Sequence, residues 1–393
     1  MRFFKDMSAS ALIAGFVTVL VGLTSSIAIV FQAAQSFGAT PAQVSSWVWS
    51  LGIGVGLCCW VPSILLRKPV VVAWSTPGAA VLATAGATGA FGMGDAIGAF
   101  IISAILIAVV GMTGWFERLM NRIPIAIASA LLAGVLTRFG LDAFAAAQTN
   151  TWLVVAMLVT YLLGRRLLPR YAVMLTLAVG IVVALLQHKI QWSAVQPGLT
   201  MPVFTMPSFS WQAAISLALP LFVVTMASQN LPGVAIIRGS GYDLPISKLI
   251  TMTGLTTLLL APFGAFGINL AAITAAICMG PESHPDQARR YVAAVVCGVI
   301  YVLIGWFGVV IAGLLTAFPH ELVVAIAGIA LLGTIGGGLH TALQGEQYRE
   351  AALITFLVAV SGVTIAGVGS AFWGVVAGSL ALFVQHYGKR RSA

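Results

Sequence analysis

The sequence predicts an all-α polytopic membrane protein of fourteen transmembrane segments. These form a 7+7 inverted repeat in which spans three and ten are each a short extended strand followed by a half-helix. Three observations carry this. Hydrophobic residues make up 60% of the chain and charged residues 7%, with 42 glycines, a composition that membrane helices tolerate and soluble domains do not show. Counting the apolar stretches as fourteen spans places all but two of the 19 Lys and Arg residues on one side, leaving only Arg138 and Lys189 on the other. Short cytoplasmic loops retain basic residues, so this division puts both termini inside. Finally, spans three and ten depart from regular helix in the same manner.

The first seven spans fall near 9–33, 42–66, 70–90, 94–115, 123–147, 150–167 and 170–187, and an outer loop follows at 188–210. The second seven fall near 211–233, 246–263, 264–280, 288–316, 319–339, 348–366 and 369–387. Arg2 and Lys5 before an apolar run from Ala11 resemble a signal peptide, but the run continues to Phe31 and has a counterpart later in the chain, so it reads as span one. An odd number of spans per half threads the second half upside down. Gly114-Trp115-Phe116 ahead of Pro124 and Gly134 is echoed by Gly305-Trp306-Phe307 ahead of Pro319 and Gly328.

In span three, Pro69 to Val72 reads as extended, Ser75 or Thr76 as a helix cap, and Pro77 as a first-turn residue of a helix reaching about Gly89. In span ten, Pro262 to Gly267 is rich in Gly and Pro, Asn269 is a candidate cap, and a short helix runs to Met279 before Gly280-Pro281. Extended backbone survives at membrane depth only under cover of protein or a watery cavity, so both segments belong inside the bundle. Inverted threading then brings two helix N-termini to the midplane, where free N–H groups and partial positive charge favour an anion.

The ten acidic residues and five histidines map to loops or span ends. Cation carriers and proton relays need a buried acid or histidine, so this core suits an anion held by dipoles and neutral donors. Arg138 and Asp142, four apart near the outer end of span five, read as an ion pair. Ser228-Gln229-Asn230 precedes a Pro232-Gly233 break, and Thr24-Ser25-Ser26 is its span-one counterpart; these residue types serve both ligand contact and helix packing. Trp74 and Phe266 stand just ahead of the half-helices, placed either to flank a flat apolar ligand or to pack on neighbouring spans. The Gly52, Gly54, Gly56 series and Gly336 to Gly338 lack the strand-to-helix context of a nucleotide loop and read as close packing or hinges.

The four cysteines, Cys58, Cys59, Cys278 and Cys297, lie in apolar segments without metal or disulfide spacing. The formal charge of +9 is scattered in ones to threes over loops, which argues against nucleic acid. With no HExxH and no buried nucleophile–base pair, no enzyme, metal or cofactor is expected.

Ala73 to Ala80 (AWSTPGAA), Thr225 to Asn230 (TMASQN), Ala271 to Pro281 with Glu282-Ser283-His284-Pro285-Asp286, and Gly369 to Gly374 (GSAFWG) resemble the bacterial benzoate:proton symporter family, BenE, along essentially the whole chain. The resemblance implies an inner-membrane carrier of an aromatic carboxylate, coupled to protons and commonly dimeric. By fold it extends to uracil permease and the sulfate-type anion exchangers. That implies a core domain (1–120 and 211–318, spans one to four and eight to eleven) moving against a gate domain (121–210 and 319–393). Nucleobase carriers of that group place acids in spans eight and ten, where this chain has Ser228-Gln229 and Gly267-Ile268-Asn269, so nucleobase transport is disfavoured. The expected substrate contacts are Thr24, Ser25, Trp74, Ser75, Thr76, Gly78, Ser228, Gln229, Asn230, Phe266, Ile268, Asn269 and Leu270. The expected partners are a small aromatic carboxylate, a proton, membrane lipid and a second copy of the chain.

Overall fold

The structure, a computed structural model, describes residues 6–116, 124–168, 171–280, 283–363, 365 and 370–386. Helices α1 (Ala9–Ser36) and α2 (Pro41–Leu66) lead to strand β1 (Val72–Trp74) and the short α3 (Thr76–Gly86). Helices α4 (Met93–Thr113), α5 (Ile125–Ala145), α6 (Thr151–Leu167) and α7 (Ala172–Leu186) follow. After the 188–210 loop come α8 (Trp211–Arg238), α9 (Ile246–Leu260), strand β2 (Ile268–Leu270) and the short α10 (Ile273–Met279). The chain closes with α11 (Tyr291–Trp306), α12 (Gly308–Ala317), α13 (His320–Leu343), α14 (Arg349–Ser361) and α15 (Ser370–His386). Among the described residues, 8 helices are long and apolar enough to cross a membrane: α1, α2, α4, α5, α8, α9, α11 and α13, some extended by a flanking turn.

Local chemistry sets the helix starts. Ser8 Oγ accepts the Ala11 N–H to begin α1, while Thr40 and Gln43 form a reciprocal capping box behind Pro41 at the start of α2. Glycine then sets the helix spacing. A Cβ on Gly52 would stand 2.7 Å from the Gly305 Cα, and one on Gly56 2.6 Å from the Gly298 carbonyl, so α2 and α11 run with backbones in near contact. Gly254 against Ala108 and Gly111 against Thr251 bring α9 and α4 together in the same way. Lipid gives helices no hydrophobic reason to associate, so close backbone approach and its dispersion energy hold such pairs. Gly54 faces Ile268, whereas Gly336 and Gly337 have no side-chain neighbour within 4 Å. A second group forms around α5, which packs on α13 through Gly328 and on α14 through Gly134; α6 pairs with α7, and α14 with α15.

Between these elements β1 and β2 pair antiparallel, with Val72 opposite Leu270, Ala73 opposite Asn269 and Trp74 opposite Ile268. Two strands of three residues buried in a helical protein need acceptors and donors from their neighbours, and they have them. Ser63 Oγ accepts the Val70 N–H at 2.9 Å and donates to the Val70 carbonyl at 3.1 Å, while Cys59 Sγ accepts from Val72 N at 3.2 Å. On the other strand, Thr257 Oγ1 accepts the Ile268 N–H at 3.3 Å and Asn230 Oδ1 accepts the Leu270 N–H at 2.9 Å.

Four expectations are corrected. The segment 288–316 is not one span: it breaks at Phe307, because Thr200 of the outer loop accepts the Val309 N–H and starts α12 afresh. Pro232 does not end α8; a π-helical turn over Met226–Asn230 absorbs it and the helix continues. Arg138 and Asp142 are both exposed and do not pair, and the Arg138 guanidinium lies against Gly362 instead. Asn269 caps no helix, since it sits inside β2 and α10 starts at Ala272 without a side-chain cap.

The 188–210 loop crosses one end of the molecule. It bonds to the Ser46 hydroxyl and to the carbonyls of Gly94, Pro262, Trp306 and Ala317. The opposite end gathers Lys68 bonded to the Asp243 carbonyl, Arg289 paired with Asp6 and Asp286, and Gln287 bonded to the Ser240 carbonyl.

Candidate functional site

A cavity of about 830 Å³ lies beside the strand pair, where α1, α3, α8, α10 and α11 face α5, α6, α7 and α13. Its size falls in the range of small-molecule sites. Trp74, Thr76, Ser228 and Gln229 all line it, so the structure brings together residues that the sequence separates by about 150 positions. The π-helical turn accounts for the presentation of α8. A wide turn lets consecutive residues Ala227, Ser228 and Gln229 reach one cavity, which a tight helix would rotate apart.

Most of the other expected contacts that are described bond or pack within the scaffold. Ser75 is fully buried and its Oγ accepts the Gly78 N–H at 3.0 Å, capping α3. Gly78 is not a lining residue: a Cβ there would meet Leu221 of α8 at 2.5 Å, so its smallness admits α8 and not a ligand. Asn230 turns away from the cavity to hold β2, with Met226 Sδ accepting from its Nδ2. Phe266 lies in an aromatic cluster with Trp47 and Phe100, at centroid distances of 5.7 and 5.4 Å, and flanks no ligand space. Ile268, Asn269 and Leu270 are fully buried, and Asn269 Nδ2 donates to the Gly267 carbonyl at 2.8 Å. The side chains of Thr24 and Ser25, and Pro281 and Glu282 as a whole, lie outside the described residues.

The half-helices are unequal anion sites. In α3, Pro77 has no N–H and Ser75 occupies that of Gly78, which leaves Thr76 as the first-turn donor. In α10 the first turn is uncapped and Ala272 and Thr274 line the cavity, but the helix has only 7 residues, so its dipole is short. Side chains therefore carry much of the polar character. Among the described residues, the lining includes no Asp, Glu, His or Lys, and Arg165 is its one charged residue.

Sequence reasoning missed Arg165, Tyr161 and Tyr301. Arg165 sits beside Arg166 near the end of α6 and reads as a topological charge; nothing local says which of the two turns inward. Tyr301 carried a fainter signal, as a phenol inside the otherwise apolar run of α11. It meets Trp74 edge to face at 5.6 Å and 79°. The Trp74 indole N–H is already spent on Ser26 Oγ at 2.9 Å, and Ser26 donates to the Gly22 carbonyl at 2.7 Å. Among the described residues, no group of three His, Cys, Asp or Glu side chains is placed to hold a metal, and the four cysteines are free and buried.

The fold resembles solved anion transporters. The transmembrane domain of a cyanobacterium bicarbonate transporter, BicA, superposes with a TM-score of 0.59 at 16% identity, covering 97% of each chain. The murine anion transporter Slc26a9 in its inward-facing state gives 0.60 at 12% identity over 98% of this chain and 69% of that one. Among curated proteins, inner membrane protein YdcO of Escherichia coli K12 is 46% identical over 384 residues, covering 98% of this chain and 97% of that one. The benzoate membrane transport protein of Acinetobacter baylyi is 40% identical over 380 residues, covering 97% and 96%. The sequence model for the benzoate membrane transport protein family, BenE, matches residues 5–384. A polytopic helical chain with a largely apolar, aromatic-edged cavity thus belongs to the BenE family of membrane transporters, and is not an enzyme.

Proposed function

We propose that the protein imports benzoate or a similar small aromatic carboxylate, together with a proton, across the bacterial inner membrane by alternating access. The carrying observation is the cavity. One Arg, several hydroxyls and an amide, an edge of Trp74 and Tyr301, and no carboxylate suit a flat monoanion and disfavour a cation. The name of the Acinetobacter relative supports benzoate as the substrate to test first. Since no acid or histidine among the described residues lines the cavity, the substrate's own carboxylate is the proposed carrier of the proton.

Fourteen spans in a 7+7 inverted repeat, with both termini cytoplasmic, fit the contacts. The residues gathered at the Asp6 end and those under the 188–210 loop alternate along the chain, which supports counting β1–α3 and β2–α10 as one crossing each. Inversion exchanges the α2–α11 pair with the α4–α9 pair and β1 with β2, and both exchanges match observed pairings. The proposed core is spans one to four and eight to eleven, and the gate is the rest. Residues 200–208 bond to core helix ends, which supports counting that stretch with the core in the proposed division. The cavity lining reaches Ile125, Arg165, Met174 and Thr341, all toward the Asp6 end by the proposed span order, which supports an inward-facing reading of this conformation. A homodimer completes the proposal by family resemblance.

The test is uptake of labelled benzoate into proteoliposomes. It should saturate and rise with an inward proton gradient. Uptake that follows membrane potential alone and ignores the proton gradient would replace symport by an anion uniporter or channel.

A further inference from the structure

We infer that the Tyr301 hydroxyl is a direct hydrogen-bond donor to the substrate's carboxylate. The inference rests on the aromatic-carboxylate reading above and adds the residue that recognises the acid group. Tyr301 lines the cavity yet is only 2% exposed, and among the described residues its hydroxyl makes no hydrogen bond. A phenol oxygen that opens on the cavity without a protein partner is free to donate to whatever fills that space. Its surroundings rule out the nearest donors as substitutes. The Trp74 N–H and the Ser26 hydroxyl already serve one another and the Gly22 carbonyl. Ser228 and Thr274 sit on helices, where hydroxyls can back-bond to the preceding turn; a phenol has no such outlet.

The position is also built. A Cβ on Gly22 would fall 2.5 Å from the Tyr301 hydroxyl and 3.5 Å from Thr274 Cγ2, so the glycine leaves open the place where α1, α11 and the first turn of α10 meet. Trp74 fixes the Tyr301 ring edge to face, which presents an aromatic wall next to the hydroxyl. A benzoate seated there sets its ring against Trp74 and its carboxylate on the phenol.

Tyr301→Phe removes the oxygen and nothing else. Because that oxygen bonds to no protein group, the substrate-free Tm should not move, while the Kd for benzoate by calorimetry should rise roughly tenfold, as expected for a hydrogen bond to a charged acceptor. Gly22→Ala, which displaces the same hydroxyl, should weaken binding in the same direction. Unchanged Kd in Tyr301→Phe overturns the inference. So does a fall in substrate-free Tm without a change in Kd, which would mark the hydroxyl as structural. If the unsubstituted carrier binds no member of a panel of aromatic carboxylates, the functional reading itself fails and takes this inference with it.

Discussion

Gln229 and Asn230 are adjacent in the sequence, both carry amides, and the structure gives them opposite work. Gln229 lines the cavity and makes no side-chain hydrogen bond among the described residues. Asn230 is fully buried and its Oδ1 holds the Leu270 N–H at 2.9 Å. Gln229→Ala should therefore leave the substrate-free Tm unchanged and weaken benzoate binding by about 0.5–1.5 kcal/mol, the net value of one hydrogen bond. That is roughly a two- to tenfold rise in Kd. Asn230→Ala strands a buried N–H at the end of β2, which costs about 1–3 kcal/mol of stability. Its Tm should fall by a few degrees, on the order of 2–4 °C per kcal/mol or somewhat less for a chain of this length. Purified variants compared by thermal unfolding, with and without benzoate, and by calorimetry separate the two roles. The assignment is refuted if Gln229→Ala destabilises as much as Asn230→Ala, or if Asn230→Ala leaves Tm unmoved while abolishing binding.

Other outcomes follow from the same structure. Single cysteines in a background without the native four should label from outside at Ser193 and from inside at Arg166 and Asp243, all exposed; periplasmic labelling at Asp243 would break the seven-plus-seven inversion. Gly56→Val places a branched side chain 2.6 Å from the Gly298 carbonyl and should destabilise the α2–α11 pair by about 1–3 kcal/mol, read as lower Tm with unaltered ligand preference. Ser75→Ala removes the α3 cap and should cost about 0.5–2 kcal/mol of stability. Neutralising Asp142, an exposed span-end acid, should not uncouple transport from the proton gradient; a variant that still exchanges benzoate but ignores the gradient would relocate the proton to that residue.

The sequence by itself determined the helical membrane architecture, the position of both strand–half-helix breaks, and the scarcity of acidic residues away from the helix ends. These follow from hydropathy, from Pro, Gly and β-branched placement, and from where charged residues are missing, all of them local properties. It also singled out Trp74, Thr76, Ser228 and Gln229, which the structure brings to one cavity. What it could not assign was direction. Asn230 and Gln229 differ in role through one step around a widened turn, and Gly78 admits Leu221 where a ligand was expected, because side-chain orientation is fixed by packing partners distant in the chain. The Thr200 bond that divides α11 from α12 joins residues 109 positions apart, and Tyr301 meets Trp74 only after α11 folds onto β1. Such contacts are set by glycine-mediated helix approach and by the need to satisfy extended backbone inside the bundle, and only the tertiary structure decides them.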